Sequence, residues 1–111
     1  MSLMHTQAVI ANGEADSTVI DVQDQVIVSI HMSEDWTAGD LAIHGSITQD
    51  GTFYPVTDAA GTPLVLTVVA DTIVAVAPDA TRGLKFVQLV SSVSQGAART
   101  LHVGTVQDDR A

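Results

Sequence analysis

The strongest constraint on this chain is a dipeptide, Asp50-Gly51, set between two short patterned runs. Glycine reaches positive φ at no steric cost, so an Asp-Gly pair in that setting predicts a tight β-hairpin. The run before it is Leu41, Ala42, Ile43, His44, Gly45, Ser46, Ile47, Thr48, and the run after it is Phe53, Tyr54, Pro55, Val56. Period-two geometry puts Leu41, Ile43, Gly45 and Ile47 on one face of the first strand and Ala42, His44, Ser46 and Thr48 on the other. Pro55 has no N–H to give to a ladder, so the return strand belongs at a sheet edge or ends there. The surrounding stretch, residues 35–56, also holds the only Trp and the only Tyr. Trp36 is expected to close one end of the core, because an indole is usually largely buried.

The rest of the chain repeats this grammar. Val26, Val28, Ile30 and Met32 alternate with Ile27, Ser29 and His31, the mark of a strand buried mainly on one side. Residues 18–22, 84–90 and 99–106 read as further strands. Residues 64–69 read as a strand apolar on nearly both faces, and 72–77 as another buried strand. Gln7, Ala8, Val9, Ile10 and Ala11 form a short candidate strand before an Asn12-Gly13 turn. Gln23, Asp24 and Gln25 read as a turn, as does the segment from Asp58 to Pro63. Pro78, Asp79, Ala80 and Thr81 suit a turn or one 3₁₀ turn. No stretch carries a helical period. The pattern predicts an all-β chain folded as an antiparallel β-sandwich, jelly-roll or Ig-like, of seven to eight short strands. Residues 18–107 make the sandwich and 108–111 a polar tail. Residues 1–17 are either an edge strand or an arm that orders on a neighbouring subunit.

Composition narrows the function classes. Aromatics are 4% against 46% apolar residues, so the core must be built from Val, Ile, Leu and Ala. Thirteen acids against four bases give a net charge of −9. Phosphate binding needs clustered Lys and Arg, so neither nucleic acid nor an anionic membrane is an expected partner. Acidic charge favours solubility and docking on a basic surface. There is no cysteine, which removes disulfides, thiolate metal sites and cysteine nucleophiles. The first residues lack a basic stretch followed by an apolar run, so no signal peptide is expected and the chain should fold in a cytoplasm.

No residue pattern marks an enzyme. There is no Gly-x-Ser-x-Gly elbow and no phosphate loop. His5, His31, His44 and His102 show no His-x-His or His-x₃-His spacing. His31 and His44 fall on polar faces of strands expected to be close, but a metal site needs three or four convergent ligands. Asp50 and Asp58 are better explained as turn formers than as calcium ligands. No catalytic residue, metal or cofactor is therefore expected. Arg82 and Arg99 are rare bases on an acidic chain, and each either pairs with a carboxylate or anchors a partner.

The order of features resembles a family of small tailed-phage virion proteins, the capsid decoration or cement proteins. The matching elements are Ser17-Thr18-Val19-Ile20-Asp21-Val22, then Ile30-His31-Met32, then Trp36-Thr37-Ala38. They continue with Asp50-Gly51-Thr52-Phe53-Tyr54-Pro55-Val56 and the second turn from Asp58 to Gly61-Thr62. The C-terminal part matches in Gly83-Leu84-Lys85-Phe86-Val87, Val90-Ser91-Ser92 and Gln95-Gly96-Ala97-Ala98-Arg99-Thr100-Leu101. The likeness covers roughly residues 17–106. Val90 and Ser92 depart from it, standing where a basic residue and a glycine are usual.

The resemblance implies a β-sandwich with a non-enzymatic role on the virion surface. It implies the major capsid protein as partner and a homotrimer over the junctions between capsid subunits. Contacts are expected from the N-terminal arm and the loops at one end, through Met4, Val9, Ile10, Arg82 and Arg99. A tail or head-fibre component, or a carbohydrate-binding adhesin sandwich, would be the alternatives. The adhesin would need exposed aromatics to stack on sugars, and this chain has few to spare.

Overall fold

The computed structural model describes residues 3–22, 24–48 and 51–107. Gln23, Asp50 and the tail at 108–111, each part of an expected turn or tail, lie outside the described residues. Two antiparallel sheets face each other. The first has the order β1 (Leu3–Ile10), β9 (Arg99–Gln107), β3 (Gln25–His31), β7 (Ile73–Ala75). The second has the order β2 (Ile20–Asp21), β8 (Phe86–Ser91), β4 (Leu41–Ser46), β5 (Tyr54–Pro55), with β6 (Val65–Leu66) also paired to β4. A single 3₁₀ turn spans Pro78–Ala80. The architecture is the predicted antiparallel sandwich, with nine strands among the described residues rather than seven or eight. The N-terminal run accounts for the difference, because β1 pairs with β9 in continuous register from Leu3 with Val106 to Ile10 with Arg99.

The core is aliphatic, as the composition requires. Ala8, Ile10, Ile27, Ile30, Leu101 and Val103 from the first sheet meet Ile20, Leu41, Ile43, Val87 and Leu89 from the second. Each large aliphatic removed from water in this way contributes about 1.5–3 kcal/mol before chain entropy is counted. Between Ile10 and Ile20 the chain crosses from one sheet to the other. Ser17 is the pivot: its N–H donates to the Leu89 carbonyl (2.8 Å), its hydroxyl accepts from the Leu89 N–H (2.9 Å), and the Thr18 N–H donates back to Val9 (2.8 Å).

Three expectations change. Ile27 is not on the face opposite Ile30. The pairing of β3 with β9 shifts between Ile27 and Ser29, a bulge that puts one extra residue in β3 and turns both isoleucines inward. At the bulge the Ile27 N–H finds the buried Thr81 hydroxyl at 3.0 Å, as a buried amide must find some acceptor.

Second, Gly51 is not at positive φ; among the described residues the glycines there are Gly13, Gly61 and Gly83, and a β-carbon at Gly51 would require the Thr48 hydroxyl to rotate away. A hairpin forms, with His44 opposite Pro55 and Gly45 opposite Tyr54, but eight residues, 46–53, separate the nearest paired positions where a tight turn is expected; Pro55 lies at the sheet edge.

Third, residues 64–69 and 72–77 are not buried strands. β6 and β7 are only two and three residues long, and Val65, Val69 and Ile73 are 51%, 62% and 67% exposed. They lie at the edges of their sheets, where no further strand among the described residues covers them.

Candidate functional site

One end of the sandwich is closed by a polar network that the sequence marked only as scattered motifs. Gln95, in the loop before β9, is buried to 1% exposure. Its Oε1 accepts from the Thr37 N–H (2.9 Å) and from Arg99 Nε (3.3 Å). Its Nε2 donates to the Thr37 carbonyl (3.3 Å) and the Ser91 hydroxyl (3.1 Å). The Gln95 N–H donates to Glu14, and its carbonyl accepts from Gly13 (2.8 Å). One side chain and its amide thus tie together the N-terminal turn, the Trp36 loop, the end of β8 and the start of β9. Trp36 itself is buried, its Nε1 donating to the Gly39 carbonyl at 3.2 Å. The expected closure by Trp36 holds, and Gln95 and Arg99 complete it.

Arg99 reaches Asp35 Oδ2 at 2.9 Å and donates from Nη2 to Thr37 Oγ1 at 3.2 Å. The Asp35 carboxyl is held below the usual carboxylate range. The Ser33 hydroxyl is the main cause; desolvation opposes it, and the Asp35 backbone amide and the Arg99 guanidinium add to the lowering. A carboxylate lowered on folding contributes stability above its ordinary pKa, and loses it as pH falls through the lowered value. The urea midpoint of the native chain should therefore exceed that of Asp35→Asn at neutral pH. The two should converge as pH falls below the ordinary carboxylate range and through the lowered value. A difference independent of pH would show that the charge is not what stabilises this corner.

The expected contact residues do not gather. Met4 lies near one end of β1, 49% exposed, its sulfur 2.9 Å from Gln25 Nε2. Val9 is half-buried near the other end of the strand. Ile10 is fully buried and points into the core rather than toward a partner. Arg82 pairs with Asp79 beside the 3₁₀ turn, near the level of Ile27, whereas Arg99 is 8% exposed at the far end and is committed to the closure described above.

What the fold leaves uncovered is apolar. Along the β5–β6–β7 side, Tyr54 (66% exposed), Val65, Val69 and Ile73 stand in solvent, with Ile47 beyond the end of β4. Two adjoining dents line this side. One is walled by Gly45, Ile47, Tyr54 and Leu84 with Ser46, Thr48 and Thr52, the other by the same Leu84, Val56, Leu64, Ala77 and Ala80 together with Asp58, Asp79 and Arg82. Paired residues share a face, so Ile73, opposite His31, lies on the outer face of the first sheet and Val65, opposite Ala42, on that of the second. On an acidic chain these exposed apolar residues at the sheet edges are candidate contacts for a partner. The sequence could not reveal their exposure, because an apolar run reads the same whether a second sheet covers it or not.

The histidines regroup. His44 faces outward on the second sheet, opposite Gln88 and Pro55. His31 is instead on the first sheet, directly opposite His102 on β9. His5 on β1 completes a row of three, its Nε2 2.9 Å from His102 Nδ1 and the two rings stacked 5.0 Å apart. As placed, no three His, Asp or Glu side chains among the described residues converge on a common point; the nitrogens that meet are the His5–His102 pair.

No protein-family model and no curated protein sequence matches the chain. Among solved structures, the crystal structure of the SPBc2 prophage-derived protein YomS has a similar fold. The TM-score is 0.61, with 12% sequence identity over 96% of each chain. At that identity the likeness concerns the fold.

Proposed function

We propose that this chain is a non-enzymatic structural protein of a phage particle, a capsid decoration protein that binds the outer shell through the major capsid protein and stabilises it. The observation that carries the reading is the set of exposed apolar residues on the edge strands and the loop between them, Tyr54, Val65, Val69 and Ile73, on a chain whose net charge is −9. Exposed apolar area needs a partner to be removed from water, and the surrounding acidity keeps the free chain soluble until it meets one. The resemblance in motif order supports the same reading, as does a fold shared with a prophage-derived protein. Trimers would pack part of this set between copies and protect the short edges of β5, β6 and β7 from unwanted strand pairing. The chain would be made in the host cytoplasm and reside on the capsid surface.

Binding the assembled shell but not its separated subunits stabilises the shell by linkage, by about 2.7 kcal/mol per site at a hundredfold excess over Kd. The chain should co-sediment with intact capsids at about one copy per capsid subunit, and raise the temperature at which they release DNA. Val69→Asp combined with Ile73→Asp should abolish co-sedimentation while leaving the thermal unfolding of the isolated chain within about 0.5 kcal/mol, as surface changes do. Recovery of the protein only in purified tails would overturn the proposal.

A further inference from the structure

We propose that His5 and His102, assisted by His31, bind a divalent transition metal of tetragonal preference, Cu²⁺ or Ni²⁺, on the outer face of the first sheet. The two ring nitrogens His5 Nε2 and His102 Nδ1 are 2.9 Å apart. With metal–nitrogen bonds of about 2.0–2.1 Å, that separation subtends an angle of about 90° at a shared ion. A right angle is the cis arrangement of a square-planar or tetragonal ion, where tetrahedral zinc would need the nitrogens further apart. In the metal-free chain one nitrogen donates its proton to the other. To bind metal, the donor ring moves that proton to its opposite nitrogen, so both lone pairs face the ion and no proton leaves the protein.

The backbone already fixes this geometry. His5 and His102 lie on neighbouring strands two residues apart in register, since His102 opposes Gln7 and His5 opposes Gly104. His31 lies directly across from His102 on the other flank, its ring centroid 6.0 Å away. It is exposed and lines the same dent. Gly104 contributes no side chain to that dent, which His5, His31, His102, Ser29 and Ile73 surround. Glu34, Asp35 and Asp71 line the dent next to it, which shares His31 and His102. Their charge raises the local cation concentration. Strands β1, β3 and β9 pair along their lengths, so the ligands sit on rigid elements rather than loops.

The test is titration of the intact chain with CuCl₂, read by calorimetry and by electron paramagnetic resonance of the bound ion. The expected result is one Cu²⁺ per chain with hyperfine structure from two or more imidazole nitrogens. Losing an outer-shell partner commonly costs 10–100-fold in metal affinity, so losing a ligand in His102→Ala or His5→Ala should weaken binding by about tenfold or more. His31→Ala should weaken it less, and His44→Ala, on the other sheet, should leave it unchanged. His102→Gln, with a melting curve for each variant, separates loss of a ligand from loss of fold. Binding that survives both His102 variants, or a spectrum without imidazole nitrogens, would overturn the site and leave the pair as a hydrogen bond between rings.

Discussion

Replacing Gln95 by leucine should lower the unfolding free energy by about 2–4 kcal/mol, although leucine is apolar, of similar size and destined for a buried position. The reason is what the glutamine leaves behind. The Thr37 N–H, the Thr37 carbonyl and Arg99 Nε all use the Gln95 amide. Each lost partner inside the protein costs the desolvation of the group that remains, about 1–3 kcal/mol, and the three are not additive because they share one corner. If Gln95 were merely tolerated by a hydrophobic end-cap, leucine would be neutral or stabilising. Urea unfolding followed by the fluorescence of Trp36, the only tryptophan and the neighbour of Thr37, decides between these outcomes. The same experiment on Gln95→Ala should give a loss at least as large, since it adds a void.

A matched pair of isoleucine variants should show an equally large contrast. Ile30→Ala should cost about 2–5 kcal/mol, while Ile73→Ala should change stability by less than about 0.5 kcal/mol. Ile30 is fully buried on β3, between Val103 of β9 and Val74 of β7, so truncation opens a cavity in the middle of the sheet. Ile73 lies one register position away, opposite His31, and is 67% exposed. Chemical denaturation of both variants measures the difference directly. Equal losses would mean that the face now read as open is covered within the chain, and the apolar contact surface would lose its basis. If Ile73→Ala is neutral in the isolated chain but weakens capsid binding, the residue is retained for a partner.

Much of this architecture is legible in the residues. Alternation in 26–32 and 41–48, punctuated by turn residues, implies strands, and the low aromatic content implies an aliphatic core. Trp36 reads correctly as buried because a large indole is seldom left in solvent. The misreadings share one cause. Period-two counting assumes an unbroken pleat, so the bulge in β3 reverses the assignment of Ile27. Apolar content says that a segment tolerates burial, and cannot say whether another layer lies over it, so β6 and β7 look buried. For Arg99 the residues leave open pairing with a carboxylate or anchoring a partner, and the choice falls to Asp35 because Asp35, Thr37 and Gln95 are assembled around it only by folding.

The sequence by itself determined that this is an all-β chain with an aliphatic core, since side-chain period and turn chemistry are local properties that act before any sheet exists. It also placed the hairpin between β4 and β5 and turned Trp36 inward. Only the tertiary structure decided which residues become neighbours. It set Gln95 and Arg99 beneath the Trp36 loop, lined up His5, His102 and His31 across three strands, and left Tyr54, Val65, Val69 and Ile73 without cover. Those outcomes depend on register and on which sheet each strand joins, and both are fixed by contacts between segments as far apart as His5 and His102, 97 positions distant in the chain.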